Sequence, residues 1–401
     1  MHIEQRLRET LSQLQPDLVD FCRRLIQTPS VNGVDDEIHI ARVITAEAER
    51  LGLQGHLTGE NTRRRNVVVS TAEHGETGLL LVGHLDTVPT GDPALWSYPP
   101  FGGEIADGKL YGRGAIDTKG GIAAAVYALA ALQAHPDALP NGRVQFIGVP
   151  DEETGATGTL GIKYLNRLGL LSATGAIYAY SGSEIVLGHR GLVRYRVRCT
   201  GQSIHTGAHE WQEGTAGANA VTGMARFLLE LESLPFSYST TPYFERFKTL
   251  ITPGTVINGG VSINVVPDQC EALIDVRTLP EQDAETLESL FLSLITQLEA
   301  TQPRLKFQLE RINDIPAAHS DENALLFTSL AEVVMRVRGT MPEKAVAGQA
   351  NEGYLLIEQG IPTVCGFGVL GANAHAVDEY VEVPSLMETA LIFTLVARRL
   401  A

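Results

Sequence analysis

The sequence has few of the residues that support several common classes of protein. Cysteine occurs four times, as Cys22, Cys199, Cys270 and Cys365, and no two cysteines form a CxxC pair. This spacing offers no thiolate zinc site, and such sparse cysteine is the ordinary usage of a reduced cytosolic chain. We therefore predict a cytoplasmic location.

Basic residues are also scarce. Lysine and arginine total 31 against 47 aspartates and glutamates, so the formal net charge is -16. This excess of negative charge argues against binding to nucleic acid or to an anionic membrane surface. No apolar run approaches the length of a membrane span, and the amphipathic N-terminus lacks the apolar core of a signal peptide. The expected partner is a small molecule, with no nucleic acid and no membrane involved.

Apolar material, by contrast, is sufficient for more than one core. The 401 residues exceed the size at which one hydrophobic core keeps growing, and 44% of them are hydrophobic. Helical patterns alternate with short apolar runs, which predicts an α/β domain with a mostly parallel sheet and helices on both faces. Strand 66–70 is expected beside strand 79–82. The helices are predicted at 3–27, 37–51, from Asp117 to about 132, 323–338, 352–358 and after Pro384, and further strands at 144–149, 176–180 and 363–367.

The pattern changes near Gly191. From there to about residue 311 the order is strand, helix, two strands, helix, strand, which is the split βαβ (ferredoxin-like) arrangement. We predict an inserted α+β domain at 190–311, within a metal-binding catalytic domain formed by 1–189 and 312–401. The insertion is expected to act as a lid or dimerisation domain. Its strands are predicted at 192–199, 256–265, 269–276 and 305–309, and its helices at 216–231 and 281–298.

Polar residues follow the buried strand 79–82. His84 and Asp86 come at alternate positions, so their side chains point the same way from the carboxyl end of the strand, where open α/β sheets bind ligands. Further along, Asp117 stands in a glycine-flanked turn just before a helix. Imidazole and carboxylate suit a divalent metal such as zinc, with Asp86 orienting the imidazole. Alternatively, His84 is a hydrogen-bonded strand-end histidine and Asp117 an N-cap.

An acidic run follows the next predicted strand of this domain. Glu152 and Glu153 are delivered to the same sheet edge as His84 if strand 144–149 runs parallel to its neighbour. One carboxylate can then bind the ion, and the other can take a proton from a water molecule that the ion activates. Alone, such a run would be a solvated acidic turn; beside His84 and Asp117 it favours a metal site.

Six sequence motifs occur together in an order typical of one known family. They are GHLDTVP, GRGAIDTKGG, PDEETG, HTG followed by GANAV, GGVSINVVPDQCEALIDVR and ANAHAVDEYV. Their order and spacing resemble the co-catalytic zinc aminoacylases and carboxypeptidases, which include acetylornithine deacetylase, succinyl-diaminopimelate desuccinylase and glutamate carboxypeptidase. The resemblance covers nearly the whole chain, and the last motif adds His375, in a small-residue loop after a strand.

The resemblance implies a metal-binding role for four residues. Asp117 would bridge two metal ions, Glu153 and His375 would complete one site, and His84 would belong to the other. The expected metal is zinc, one or two ions per chain, with cobalt or manganese as alternatives.

Further residues resemble catalytic and substrate-binding groups of this family. Glu152 is similar to the general base, and Asp86 to the carboxylate that supports the first histidine ligand. His205 resembles a residue that reaches an active site, often that of the dimer partner, to polarise the scissile carbonyl. Asn264 and Arg277 match positions that hold a substrate carboxylate. Alternatively, His205 is a surface-turn histidine and Arg277 pairs across the sheet.

One position departs from the family pattern. The family places a carboxylate just after the strand that precedes the insertion, in a context such as Gly-Glu-Pro-Thr, to complete the second metal site. Here strand 176–180 leads into Ser181, Gly182, Ser183 and Glu184. Either Glu184 is recruited as a displaced ligand, or the second metal is weak or absent. The pair at 351–352, Asn-Glu, also stands where the family often has an aspartate.

These observations predict an enzyme, a metal-dependent hydrolase of amide bonds that acts on an N-acyl amino acid or a small peptide and forms a homodimer. Glu152 would deprotonate the attacking water, and His205 would help to stabilise the oxyanion. Two alternatives remain. One is an N-carbamoyl amino acid amidohydrolase, and the other is a degenerate, non-catalytic binding relative with an incomplete second metal site.

Overall fold

A computed structural model describes the chain except for residues 1–2, 140–141 and 155–157. The chain divides into two compact units. The predicted insertion at 190–311 lies within the second unit, which extends further because its last strand runs to Ile315 rather than to 309. The first unit consists of Met1–Gly188, His319–Ala347 and Asn351–Ala401, and the second of His189–Ala318 and Gly348–Ala350.

The described residues form strands and helices along most of the chain. The strands are β1 (Gln54–Thr58), β2 (Asn66–Ser70), β3 (Glu76–His84), β4 (Glu104–Ala106), β5 (Lys109–Tyr111), β6 (Gly142–Val149), β7 (Gly175–Ser181), β8 (Ile185–His189), β9 (Gly191–Thr200), β10 (Leu250–Gly259), β11 (Gln269–Thr278), β12 (Lys306–Ile315), β13 (Ala318–His319), β14 (Lys344–Ala347), β15 (Thr363–Val369), β16 (Gly371–Ala372) and β17 (Tyr380–Glu382). The α-helices are α1 (Ile3–Ile26), α2 (Ile38–Arg50), α3 (Gly120–Gln133), α4 (Ile162–Arg167), α5 (His209–Gln212), α6 (Ala220–Glu232), α7 (Ala284–Thr301), α8 (Leu325–Arg338), α9 (Gly353–Glu358) and α10 (Val383–Leu400).

A six-stranded sheet in the order β1-β2-β6-β3-β7-β15 forms the centre of the first unit. Strands β6, β3, β7 and β15 are parallel to their neighbours in this row, and β1 and β2 are antiparallel. The predicted mostly parallel α/β sheet is therefore confirmed. The predicted pairing of 66–70 with 79–82 is wrong, because β6 lies between β2 and β3. Two smaller sheets, β16-β17-β5-β4 and β13-β8-β14, are formed by strands that lie in other parts of the chain.

Helices cover both faces of this sheet, which explains why β3 is apolar and buried without alternation from Leu79 to Val82. On one face α3 contacts β3, β6 and β7 and packs against α1 and α10. On the other, Val82 of β3 shares a core cluster with Ile162 of α4 and Leu356 of α9. A Cβ atom at Gly121 would collide with the Ala179 carbonyl of β7, so glycine is required where α3 begins.

Helix α3 is apolar around its whole circumference. The stretch Ala115–Gln133, which includes it, is among the described residues the one helical stretch long and apolar enough to cross a membrane. Of its most apolar window, 94% is buried inside the protein. An all-round apolar surface is what a helix buried in a core requires.

The second unit contains an antiparallel sheet in the order β10-β11-β9-β12. Helices α6 and α7 contribute Phe227 and Phe291 to a core with the buried residues Tyr195 and Ile274 of the sheet. The chain order strand, helix, two strands, helix, strand is the predicted split βαβ arrangement.

Two boundaries in this unit differ from the predicted ones, and a capping residue or a glycine explains each difference. Helix α6 begins at Ala220 rather than 216, since the Asn219 side chain accepts hydrogen bonds from Val221 N and Thr222 N at the N-cap. Strand β10 lies at 250–259 rather than 256–265, and Gly260, with φ 75°, follows its end. Sequence periodicity alone does not detect such end signals.

Candidate metal centre

His84 and Asp117 meet at the carboxyl edge of the central sheet. His84 is the last residue of β3 and is buried, and Asp117 lies just before α3. The His84 Nε2 atom is 3.0 Å from Asp117 Oδ1. His84 Nδ1 is 2.8 Å from the backbone oxygen of Asp86. Because that oxygen can only accept, Nδ1 carries a proton and Nε2 is the atom offered to a metal.

Glu153 and His375 join the same group. His375 Nε2 lies 3.2 Å from Asp117 Oδ2 and 3.3 Å from Glu153 Oε1. Donor atoms of His84, Asp117 and Glu153 all lie within 4.8 Å of one another. In the described part of the chain, Glu153 Oε1 is buried and accepts no hydrogen bond. A buried carboxylate oxygen without a donor fits a metal ligand, since burying it otherwise costs free energy.

Two residues of the site have left-handed backbone conformations that glycine would normally adopt. They are Asp151, with φ 81°, immediately before the acidic pair, and His375, with φ 62°. Such conformations cost free energy for a residue with a Cβ, and they cluster at functional sites. Here they lie at the turn after β6 and at the loop that carries the second histidine.

The electrostatics of the cluster favour a cation. Burial opposes ionisation of Asp117, but hydrogen bonds with His375 and His84 lower its pKa. Close contacts with the carboxylates of Asp117 and Glu153 raise the pKa of His375 to about 10. Burial disfavours protonated His84, yet its contact with Asp117 raises its pKa well above the ordinary value. The group thus attracts positive charge, which a divalent ion supplies while displacing the imidazole protons.

The support of His84 by the Asp86 carboxylate stays a prediction, and the hydrogen bonds of this carboxylate go to other groups. It accepts hydrogen bonds from Glu152 N at 3.2 Å, Glu153 N at 2.9 Å and Asn32 Nδ2 at 2.6 Å. The nearest approach of this carboxylate to His84 Nδ1 is 3.7 Å. The backbone of Asp86 therefore orients the imidazole, and its side chain holds the turn with the two glutamates.

Glu152 lies beside the four donors as a half-buried carboxylate. Burial raises its pKa to about 8, an effect that the neighbouring His84 opposes. Its Oε1 atom is 3.5 Å from the Tyr180 hydroxyl. A carboxylate of raised basicity next to a metal site is suited to accept a proton from water.

Glu379 is a buried carboxylate next to the site that sequence reasoning missed. Its carboxylate accepts backbone hydrogen bonds from Gly114 at 3.0 Å, Ile116 at 3.0 Å and Asp117 at 3.1 Å. It also pairs with Arg113 Nη1 at 2.6 Å, and both side chains are buried. Glu379 thus holds the segment that presents Asp117. Its presence in the motif with His375 was the only sequence signal.

Glu184 does not join the cluster. It is exposed in the turn between β7 and β8, and among the described residues it belongs to no group of three metal-ligating side chains. Asn351 has a structural role, since its side chain donates to Cys365 O at 2.6 Å and accepts from Gly353 N at 2.9 Å. Glu352 is buried, and burial followed by the charge of Glu152 raises its pKa well above the ordinary value.

His205 and Asn264 are neighbours in the second unit. Thr206 N donates to Asn264 O at 3.0 Å, and Ser262 Oγ donates to Asn264 Oδ1 at 2.6 Å. His205 is exposed, and its Nδ1 accepts a hydrogen bond from Gly207 N at 3.0 Å. The ring proton is therefore on Nε2, which is ready to donate to a carbonyl oxygen.

Arg277 has a partner on its own strand. Its Nε atom donates to Asp275 Oδ1 at 2.8 Å, and Asp275 also accepts from Arg194 Nε of β9 at 3.1 Å. The cross-strand ion pair with Asp275 is therefore made by Arg194, and Arg277 pairs within its own strand. Arg277, His205 and Asn264 all belong to the second unit, and the four metal-ligand candidates belong to the first.

Comparison with known proteins gives consistent matches. The model of peptidase family M20/M25/M40 matches residues 80–399. The chain is 30% identical to the succinyl-diaminopimelate desuccinylase of Rhodospirillum centenum, over 96% of this chain and 98% of the relative. It is 27% identical to a probable succinyl-diaminopimelate desuccinylase of Staphylococcus aureus, over 92% of each.

A solved structure gives the same result for the fold. The M20 family metallo-carboxypeptidase of Sulfolobus solfataricus superposes with a TM-score of 0.75 at 18% identity. The superposition covers 96% of this chain and 98% of that one. The likeness therefore extends over both units and not only over the motifs.

Proposed function

The chain belongs to the peptidase family M20/M25/M40, and on this premise we propose that it hydrolyses the amide bond of an N-acyl amino acid or small peptide, with zinc as the metal. At the coarser level it is a metal-dependent hydrolase of amide or peptide bonds. The observation that carries the proposal is the convergence of His84, Asp117, Glu153 and His375, which are remote in sequence, on one group of donor atoms.

Glu152 is the proposed general base. A divalent ion held by the four ligands would polarise the scissile carbonyl and lower the pKa of water. Glu152 takes a proton from the attacking water and returns it to the leaving amine. Asp86 keeps Glu152 in place through the backbone hydrogen bond at 3.2 Å. The buried surroundings of Glu152 raise its proton affinity, which supports this role.

The second unit supplies the proposed substrate contacts. His205 donates its Nε2 proton to the carbonyl oxygen, where negative charge develops during attack. Arg277 and Asn264 hold a free carboxylate of the substrate, for which a guanidinium and an amide are suitable donors. Relatives named as succinyl-diaminopimelate desuccinylases make N-succinyl amino acids the first candidates.

A substrate screen tests this function. N-succinyl, N-acetyl and N-carbamoyl amino acids and dipeptides are incubated with zinc-loaded protein, and amine release is measured. We expect N-acyl or peptide substrates to be hydrolysed, activity to be lost after chelation, and zinc to restore it. Selective turnover of N-carbamoyl compounds would favour the amidohydrolase alternative. No turnover by protein that holds metal would favour the non-catalytic alternative.

A homodimer formed through the second unit is a further part of the proposal. Strand β10 is an edge of its sheet. Apolar side chains are exposed along and after it, with Ile257 at 53%, Val261 at 88% and Ile263 at 100% of their full accessibility. Exposed apolar edges are favourable surfaces for pairing with a second chain.

The cytoplasmic location that the cysteine usage indicates stays a prediction.

Mixing two inactive variants tests both the dimer and the action of His205 across it. His205→Ala retains Glu152, and Glu152→Gln retains His205. If each active site uses the histidine of the partner, mixed dimers regain one working site, so turnover rises after subunit exchange. Each variant exchanged with itself is the control. Unchanged turnover in mixed dimers, or a monomeric mass by light scattering, would contradict the arrangement.

A further inference from the structure

The two sides of Asp117 differ in the number of metal donors. Its Oδ2 side faces His375 at 3.2 Å, and Glu153 lies 3.3 Å from that histidine, so three donors meet there. Its Oδ1 side faces His84 Nε2 at 3.0 Å. Among the described residues, the one group of three donors whose atoms all lie within 4.8 Å of one another is His84, Asp117 and Glu153. Asp117 and Glu153 thus serve both histidines, so the described donors complete the ligand set of one ion, and His84 has no carboxylate of its own.

Tyr180 occupies the flank of His84 on this side. Strands β3 and β7 are adjacent and parallel, with Val82 opposite Tyr178. Two residues further along each strand, the same face of the sheet carries His84 and Tyr180. The two rings are perpendicular, with centroids 5.4 Å apart. The Tyr180 hydroxyl is 3.5 Å from Glu152 Oε1, so it also faces the proposed general base.

A phenol is a poor substitute for a carboxylate at this place. A phenol offers a single hydroxyl oxygen that also carries a proton, whereas a carboxylate offers two charged oxygens to a second divalent ion. Catalytic zinc sites usually keep three protein ligands. A second ion beside His84 would have to share Asp117 and Glu153 with the first ion, and only His84 Nε2 would be its own ligand.

We propose that Tyr180 closes the His84 side of the centre, so that the chain holds a single tightly bound divalent ion and the Tyr180 hydroxyl faces Glu152 in place of a second ion. This inference rests on the proposed function and specifies its metal centre. It assigns to Tyr180 a role that depends on the register of β3 and β7 rather than on any sequence motif.

Metal counting tests the proposal without measuring turnover. The full chain, its metal removed, is dialysed against excess Zn²⁺ and then against metal-free buffer, and zinc per chain is measured by mass spectrometry. A parallel titration with Co²⁺ follows visible absorption. We expect one equivalent for the wild type. Tyr180→Glu supplies a third donor beside His84 and should bind a second equivalent, whereas the uncharged, equally sized Tyr180→Gln should bind one.

Each possible zinc content either supports or contradicts the proposal of a single ion per chain. Two tightly held equivalents in the wild type would overturn the proposal even if the variants failed to fold. A folded Tyr180→Glu protein, checked by circular dichroism, that still held one ion would overturn it as well. No ion in the wild type would contradict the proposed metal-dependent function itself, so the two failures are distinguishable.

Discussion

Replacing Glu152 with glutamine is expected to lower kcat by about 10²- to 10⁴-fold, the usual contribution of general acid–base catalysis. Glutamine has nearly the same shape but cannot take a proton from water. Because Glu152 is not among the four proposed metal ligands, the bound metal should remain. The loss should therefore appear in kcat at unchanged metal content.

The measurement is steady-state hydrolysis of the best substrate from the screen, with metal content determined on the same samples. Glu184→Gln is the matched control, since it makes the same chemical change at an exposed carboxylate outside the cluster. We expect that control to keep its metal and its turnover. Turnover near the wild-type value in the Glu152→Gln protein would contradict the assignment of the base.

Replacing Glu379 with alanine is expected to lower the free energy of unfolding by about 3–5 kcal/mol, the cost of breaking a buried ion pair by removing one partner. The substitution leaves Arg113 as a buried cation and removes the acceptor of the Gly114, Ile116 and Asp117 backbone N–H groups. Metal affinity should also fall, by about 10- to 100-fold, because the segment that presents Asp117 loses its support.

Urea denaturation of the metal-free protein measures the change in stability, and competition with a zinc chelator measures the change in affinity. The exposed neighbour Glu382 provides the control, since its side chain accepts no hydrogen bond from the backbone N–H groups at the start of α10. Glu382→Ala should change stability by no more than about 0.5 kcal/mol. An equally small effect of Glu379→Ala would show that the buried pair does not stabilise the site.

Local patterns in the chain were sufficient for much of the fold. The apolar run of β3 followed by His84 and Asp86, and the acidic pair after β6, placed metal-ligand candidates at strand ends. Alternating polarity in β9 and the order of elements after it predicted the split βαβ unit. These signals survive in a single sequence because side-chain direction follows from the two-residue period of a strand and the 3.6-residue period of a helix.

Other features could not be read from the chain. The insertion of β6 between β2 and β3 depends on which strands pair, and pairing is decided by packing over long sequence distances. The hydrogen bonds of the Asp86 carboxylate to the Glu152–Glu153 turn, and of Glu379 to the Asp117 segment, join residues that are remote in sequence. Their geometry appears only when the sheet edge has assembled.

The sequence by itself determined the chemistry that is available: two histidines and several carboxylates in motifs of one hydrolase family, each at the end of a strand or in a glycine-rich turn. Only the tertiary structure decided how these groups are used. In the folded chain Asp117 contacts both His84 and His375, Glu184 is exposed, and Tyr180 lies beside His84. The physical reason is that a metal centre depends on distances of a few ångströms between side chains, and strand register, not sequence separation, sets those distances.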